Sequence, residues 1–305
     1  MPKNEKEESQ IQLIILGDEH TLTQSKEELA WDREMSILWT RNLWLGLLHL
    51  FSGVAGTFLG LTVDNMVNFK LGLTTIFLDW DSSAGTATQS LETVYDCPFV
   101  VWTAMFSFLS SAAHFMVLLN WDKYTSDLAK GLNRFRWWEY SLSSSLIMIL
   151  IAMLFGVYDV ISLVFIFAIN GAMCLFGDVH ELQNAGRKPE DVDWTAFWYG
   201  SIAGLFPWGV ITAYMLGSPG VNAAPWFVWV ILASYVVLFC TFPLTMWNQY
   251  NQNGQYDNSL YPNLKNGGYI AGEKRYGLLS LVAKTMLVWL VISGSSQPTE
   301  YTSTA

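Results

Sequence analysis

Long apolar runs, separated by short polar ones, occupy most of the chain. Seven windows, about 39–61, 98–120, 132–157, 160–178, 195–216, 226–248 and 274–295, are apolar over roughly the 20 residues a helix needs to cross a hydrocarbon core. The pattern predicts an all-α membrane protein with seven transmembrane helices. One segment breaks it. Within 62–96, KLGLTTIFLDW, a turn signal at SSAG and a second run, TQSLETVYD, predict a two-stranded β-hairpin outside the membrane. The stretch NQNGQYDNSLYPNLKNGGY, before the last window, reads as a solvated loop. Residues 1–35 are polar and acidic, with no apolar core of the kind a cleaved signal peptide carries. The expected organisation is a polar extension (1–35), a membrane domain (36–295) and a short extracellular tail (296–305).

Composition supports this reading. Only 14% of residues are charged, where a soluble chain would carry about 25%. The net charge of −10 offers no electrostatic footprint for nucleic acid. Cys97, Cys174 and Cys240 are scattered, with no CxxC pair, and read as small hydrophobes. Of 16 Lys and Arg residues, all but Lys70 and Lys284 fall on one side of the seven-helix layout. By the excess of basic residues on inner loops, the N-terminus is expected to be cytoplasmic and the C-terminus outside.

Lys284 itself is out of place. It lies in LLSLVAKTMLVWLVISG, nine residues beyond Arg275 and so about 13 Å along a helix, near the middle of a core roughly 30 Å thick. Three readings are open: a snorkelling side chain, a structural ion pair, and an amine poised to form a Schiff base. Any charged version needs a partner inside the membrane. RFRWWEYSLSSS offers Glu139, on one helical stripe with Arg136 and Ser143. Counted from Arg136, Glu139 would lie only about 5 Å inside, so reaching Lys284 requires Arg136 itself to be submerged. His49 and His114 are at similar depth in the first two helices, and Ser110 and Ser111 share a face with His114. No HxxxH or HExxH spacing points to a metal site, and no pattern points to an enzyme. The other halves of the helices, 50–61, 99–109, 147–157, 205–216 and 285–295, contain no Asp, Glu, Lys, Arg or His. A pump normally needs protonatable stations along its route, so this emptiness argues for a sensor.

Seven helices with a lysine in the last and a glutamate in the third resemble a microbial-type rhodopsin. The expected orientation and the motifs resemble heliorhodopsin more closely. They are LLHLFSG around His49, SSAAHF around His114, NRFRWWEYSLSSS around Glu139, INGAM in the fourth helix and LVAKTM around the lysine. The resemblance covers about 36–295. It implies all-trans retinal held on Lys284 as a protonated Schiff base, with Glu139 as its counterion. It implies a cytoplasmic-side polar cluster of His49, His114 and Arg136 that takes up the proton after isomerisation. Ser110, Ser144 and Tyr140 would tune the Schiff-base surroundings, and Trp137, Asn170 and Met173 would belong to the retinal pocket. It also implies a homodimer in membrane lipid. Ala283 precedes the lysine where the family pattern leads one to expect serine. The functional expectation is a photoreceptor that signals without net pumping. A light-gated proton or ion channel, and a light-dependent regulator of a soluble enzyme, are the alternatives. For the latter, 1–35 and DVHELQNAGRKPEDVD would be docking surfaces for a cytoplasmic signalling partner.

Overall fold

The computed structural model describes residues 3–295; the expected tail, 296–305, lies outside the described residues. Seven helices are long and apolar enough to cross a membrane, the first of these spans being Gln24–Thr62. That span belongs to α1 (Lys3–Thr62), a single helix of 60 residues. A short α2 (Asp64–Val67) leads into β1 (Lys70–Asp81) and β2 (Thr86–Pro98). The remaining spans are α3 (Phe99–Leu119), α5 (Arg134–Leu154), α6 (Val160–Asn184), α7 (Thr195–Gly217), α8 (Trp226–Tyr250) and α9 (Gly267–Ser295). A brief α4 (Trp121–Leu128) lies between α3 and α5.

Three boundaries differ from the sequence pattern. From Lys3 onward the polar N-terminal segment shares one helix with the first span, α1 running unbroken between them. No proline occurs between residues 3 and 62 to interrupt its backbone ladder. The 39 residues Gln24–Thr62 extend about 58 Å, nearly twice the hydrocarbon thickness. The fourth span continues to Asn184, and Asp178, His180, Glu181 and Asn184 are all buried. The first half of DVHELQNAGRKPEDVD is therefore helix with one face in the bundle, Val179 and Leu182 staying exposed, and the loop begins at Ala185. Hydropathy alone ends that helix too early, because its last two turns bury polar groups that are paired inside the bundle. In the same way α9 begins at Gly267, and the loop before it packs: Tyr256 is buried against the helix start.

The predicted hairpin is present as an antiparallel pair, with Leu71 opposite Cys97 and Leu73 opposite Tyr95. Its turn is set by Asp81, whose Oδ1 accepts from the backbone N–H of Ser83 (2.8 Å) and Ala84 (3.1 Å). Gly85 follows at φ +64°, a left-handed position where a side chain is strained. Leu71, Leu73 and Cys97 at the hairpin base are buried in the main core, whereas Phe77, Leu78 and Trp80 near the tip are exposed. Thr74 N–H donates to Tyr158 O at 2.9 Å and so ties the hairpin to the α5–α6 connection.

Small residues let the helices approach closely, as packing without a hydrophobic driving force requires. A Cβ at Gly56 of α1 would sit 3.3 Å from Ala104 of α3, and one at Gly200 of α7 would sit 3.3 Å from the Met173 carbonyl of α6. Asp159 caps α6, its carboxylate accepting from Ser162 N–H (2.8 Å) and Ser162 Oγ (2.7 Å). The Ser162 hydroxyl and then its N–H hold the Asp159 carboxyl below its ordinary value of 3.8. Asp159→Ala is expected to cost about 1 kcal/mol, read as a lower Tm in detergent. The depressed value means that this stabilisation is present above pH 3.8 and is lost as pH falls below it. Wild type and variant should therefore converge in acid.

Candidate functional site

Three helices meet at Lys284. From α9 its Nζ donates to Glu139 Oε1 of α5 at 2.5 Å, and Ser110 Oγ of α3 donates to the same oxygen at 2.6 Å. Lys284 is 3% exposed, so this is an ion pair within the bundle and not a snorkelling side chain. The Tyr140 ring lies 5.4 Å from Nζ, and its hydroxyl donates to Tyr276 O at 3.1 Å. On the far side of the lysine, Tyr235 OH of α8 donates to the Ala283 carbonyl at 2.5 Å. Ala283 thus contributes its backbone to the site where a serine would have offered a hydroxyl.

A second polar chain runs from α5 into α6. Asn170 Nδ2 donates to Ser144 Oγ (2.9 Å) and Ser145 Oγ (3.1 Å), and Ser144 Oγ lies 3.3 Å from Cys174 Sγ. Cys174, read from sequence as a filler, is a member of this chain. Trp137, Tyr140 and Cys174 pack in one cluster with Met173 and Phe242 against it. The Phe242 ring meets Tyr140 edge-on at 5.5 Å.

The two histidines do come together. The His49 and His114 rings stack at 5.7 Å with planes only 8° apart. His114 Nδ1 is 2.8 Å from Asn42 Oδ1. His49 is 1% exposed, and neither ring nitrogen has a hydrogen-bond partner among the described residues. Both imidazoles are within electrostatic reach of Lys284 and Glu139. Asn42 went unnoticed in the sequence, although it lies seven residues before His49 and so on the same stripe of α1.

Arg136 does not join the histidines. It is the centre of a separate ionic cluster toward the basic face, pairing with Glu181 of α6 and, at 2.5 Å, with Glu273 of α9. Asn133 donates its backbone N–H to Glu181 (2.8 Å) and its side-chain amide to Glu273 (2.7 Å). Tyr124 of α4 donates to Glu273 (3.1 Å) and Tyr269 to Glu181 (3.1 Å). The guanidinium also lies 4.1 Å from the Tyr276 ring centre and 5.1 Å from that of Trp137. A guanidinium remains protonated, so Arg136 cannot serve as an acceptor in any case. Its partners were legible as stripes: Glu181 continues Asn170, Cys174 and Asp178 along α6, and Glu273 precedes Tyr276, Ser280 and Lys284 along α9.

A sequence profile of the heliorhodopsin family matches residues 38–296. The chain belongs to the heliorhodopsin family. No curated protein matches it. As a heliorhodopsin it is a retinal-binding photoreceptor and an integral, multi-pass membrane protein. The donor set agrees with that cofactor. Retinal carries an aldehyde, and the bundle centre presents one primary amine, a carboxylate to balance it when protonated, and an aromatic and methionine wall beside both.

Charge removal separates the Arg136 cluster from a half-exposed pair. Arg136→Gln leaves the buried Glu181 and the part-buried Glu273 without their shared cation and should cost about 3–5 kcal/mol in unfolding experiments. Arg134→Gln breaks a single 3.4 Å contact in which the arginine side chain is 51% exposed although Asp178 is buried, and should cost less than Arg136→Gln.

Proposed function

We propose that this heliorhodopsin is a light sensor with all-trans retinal on Lys284 and Glu139 as counterion, in which a proton moves toward one membrane face and returns. The observation that carries the proposal is the 2.5 Å contact between Lys284 Nζ and Glu139 Oε1 at the buried junction of α5 and α9. When bound, retinal supplies an aldehyde that condenses with the lysine amine, releasing water, and a polyene that changes shape in light.

The residues account for the rest. With Nζ protonated, the Glu139 carboxylate holds the positive charge in place, and Ser110 fixes the carboxylate by donating to the same oxygen. An opposite charge at this distance favours the charged nitrogen, and any movement of the N–H away from Glu139 lowers its hold on the proton. Imidazole is the side chain suited to accept that proton. His49, with both nitrogens unpartnered among the described residues, and His114, held by Asn42, supply a stacked pair of acceptors. In the other direction Lys284 is followed by Leu287, Val288 and Val291, packed in a core with Phe106, Leu150, Ile151 and Phe227. Among the described residues that core holds no Asp, Glu, Lys, Arg or His to continue the route, which supports sensing over pumping. We take the basic face as cytoplasmic on the distribution of Lys and Arg, which places the N-terminus inside.

Purification with retinal should yield a visible absorption band that Lys284→Ala abolishes. Glu139→Gln removes the charge that stabilises the ground state and should shift the band strongly to the red; an unmoved band would place the counterion elsewhere. Voltage-clamp recording under continuous light should show no sustained photocurrent. A steady current would replace the sensor with a light-gated conductor.

A further inference from the structure

A second site lies away from the lysine, on the basic face. There α1, the α8–α9 connection and the start of α9 line an open pocket of about 320 Å³. Glu34 and Arg41, two turns apart on α1, form one wall, and Ile270, Lys274 and Leu278, spaced by four on α9, form the opposite wall. Tyr261 and Leu264 of the connection close a third side, and Arg275 stands at the rim.

The polar framework is tied together. Arg41 Nη2 donates to the Lys274 carbonyl at 2.9 Å, joining α1 to α9, and Lys274 Nζ pairs with Glu34. Tyr261 OH donates to Gln255 O at 2.9 Å. Glu34 is the single acid in the lining and Lys274 answers it. Neither Arg41 nor Arg275 forms an ion pair among the described residues. Two arginine charges therefore face one pocket, in a chain whose net charge is −10.

We propose that this pocket binds a phosphate-bearing anion. The planar guanidinium fork matches phosphate oxygens, and two forks over an apolar floor of Leu264, Ile270 and Leu278 suit a phosphate attached to a less polar body. Such a group could be a phospholipid headgroup, since Lys274 and Arg275 immediately precede the apolar stretch 276–295 of α9, or a soluble phosphate. Either would rest on α9 ten residues before Lys284, about 15 Å along the same helix. The proposal does not depend on the photochemical reading, because its test needs neither light nor colour.

The full chain, purified in neutral detergent, would be mixed with phosphatidylglycerol or phosphatidylcholine and weighed by native mass spectrometry. In parallel, its Tm would be measured in inorganic phosphate and in chloride at equal ionic strength. For a lipid site, wild type retains phosphatidylglycerol preferentially, and Arg275→Gln weakens retention about tenfold, the effect of one charge-assisted hydrogen bond. Lys188→Gln, an exposed basic residue in the α6–α7 connection, leaves retention unchanged. For a soluble ligand, phosphate raises the Tm of wild type but not of Arg275→Gln, with no lipid preference. Equal retention of both lipids together with no phosphate effect overturns the proposal. So does an equal loss in Lys188→Gln and Arg275→Gln, which would reduce the effect to general surface charge.

Discussion

An ammonium and a carboxylate held together inside a membrane set the terms for the rest of the bundle. Each ion alone carries a desolvation penalty of several kcal/mol, and their attraction offsets it only with close geometry and additional hydrogen bonds. Lys284 and Glu139 meet both conditions: 2.5 Å between them, and Ser110 bound to the same oxygen. The three residues come from α9, α5 and α3, so the pair persists only while those helices keep their mutual register. The small residues of α1 and α3, and the serine-rich face of α5, are what permit that closeness. A pair so costly to break in the dark is also a sensitive place to store a change in geometry.

The second ionic cluster sits one helical turn away. Arg136 and Glu139 are three residues apart on α5, about 4.5 Å of rise, yet they serve different centres. Glu139 reaches the lysine, whereas Arg136 turns to Glu181 and Glu273 and draws in Asn133, Tyr124 and Tyr269. One arginine between two carboxylates leaves an excess of negative charge, which the neighbouring hydroxyl and amide donors stabilise. That cluster joins α4, α5, α6 and α9 at the basic end of the bundle.

Much of this was legible in the sequence, for definite reasons. Spanning helices follow from hydropathy and length, and the hairpin follows from alternation around a turn signal. Lys284 and Glu139 stood out because a charge inside an apolar run has few explanations. What hydropathy could not show was polar surface buried by pairing. Asp178, His180 and Glu181 look like loop residues until Arg136 and Arg134 are known to face them. For the same reason Arg136 was grouped with the histidines: its place in the sequence gives depth but not direction. Depth was the useful part, since only a submerged Arg136 allows Glu139 to reach the lysine, and Arg136 is 6% exposed.

Polarity along the membrane normal is therefore graded, and the grading has a mechanistic consequence. From Lys284 toward the basic face lie Glu139, the stacked histidines with Asn42, and the Arg136 cluster; the other way lies an apolar core. Among the described residues, the carboxylate and imidazoles nearest Lys284 therefore lie on one side of it. The helix that carries the lysine also carries Glu273 and Lys274, which bind α5 and α1 respectively. The Lys284 amine and the basic face thus belong to one continuous helix, so a displacement at the first is mechanically linked to the second without any charge crossing the bilayer.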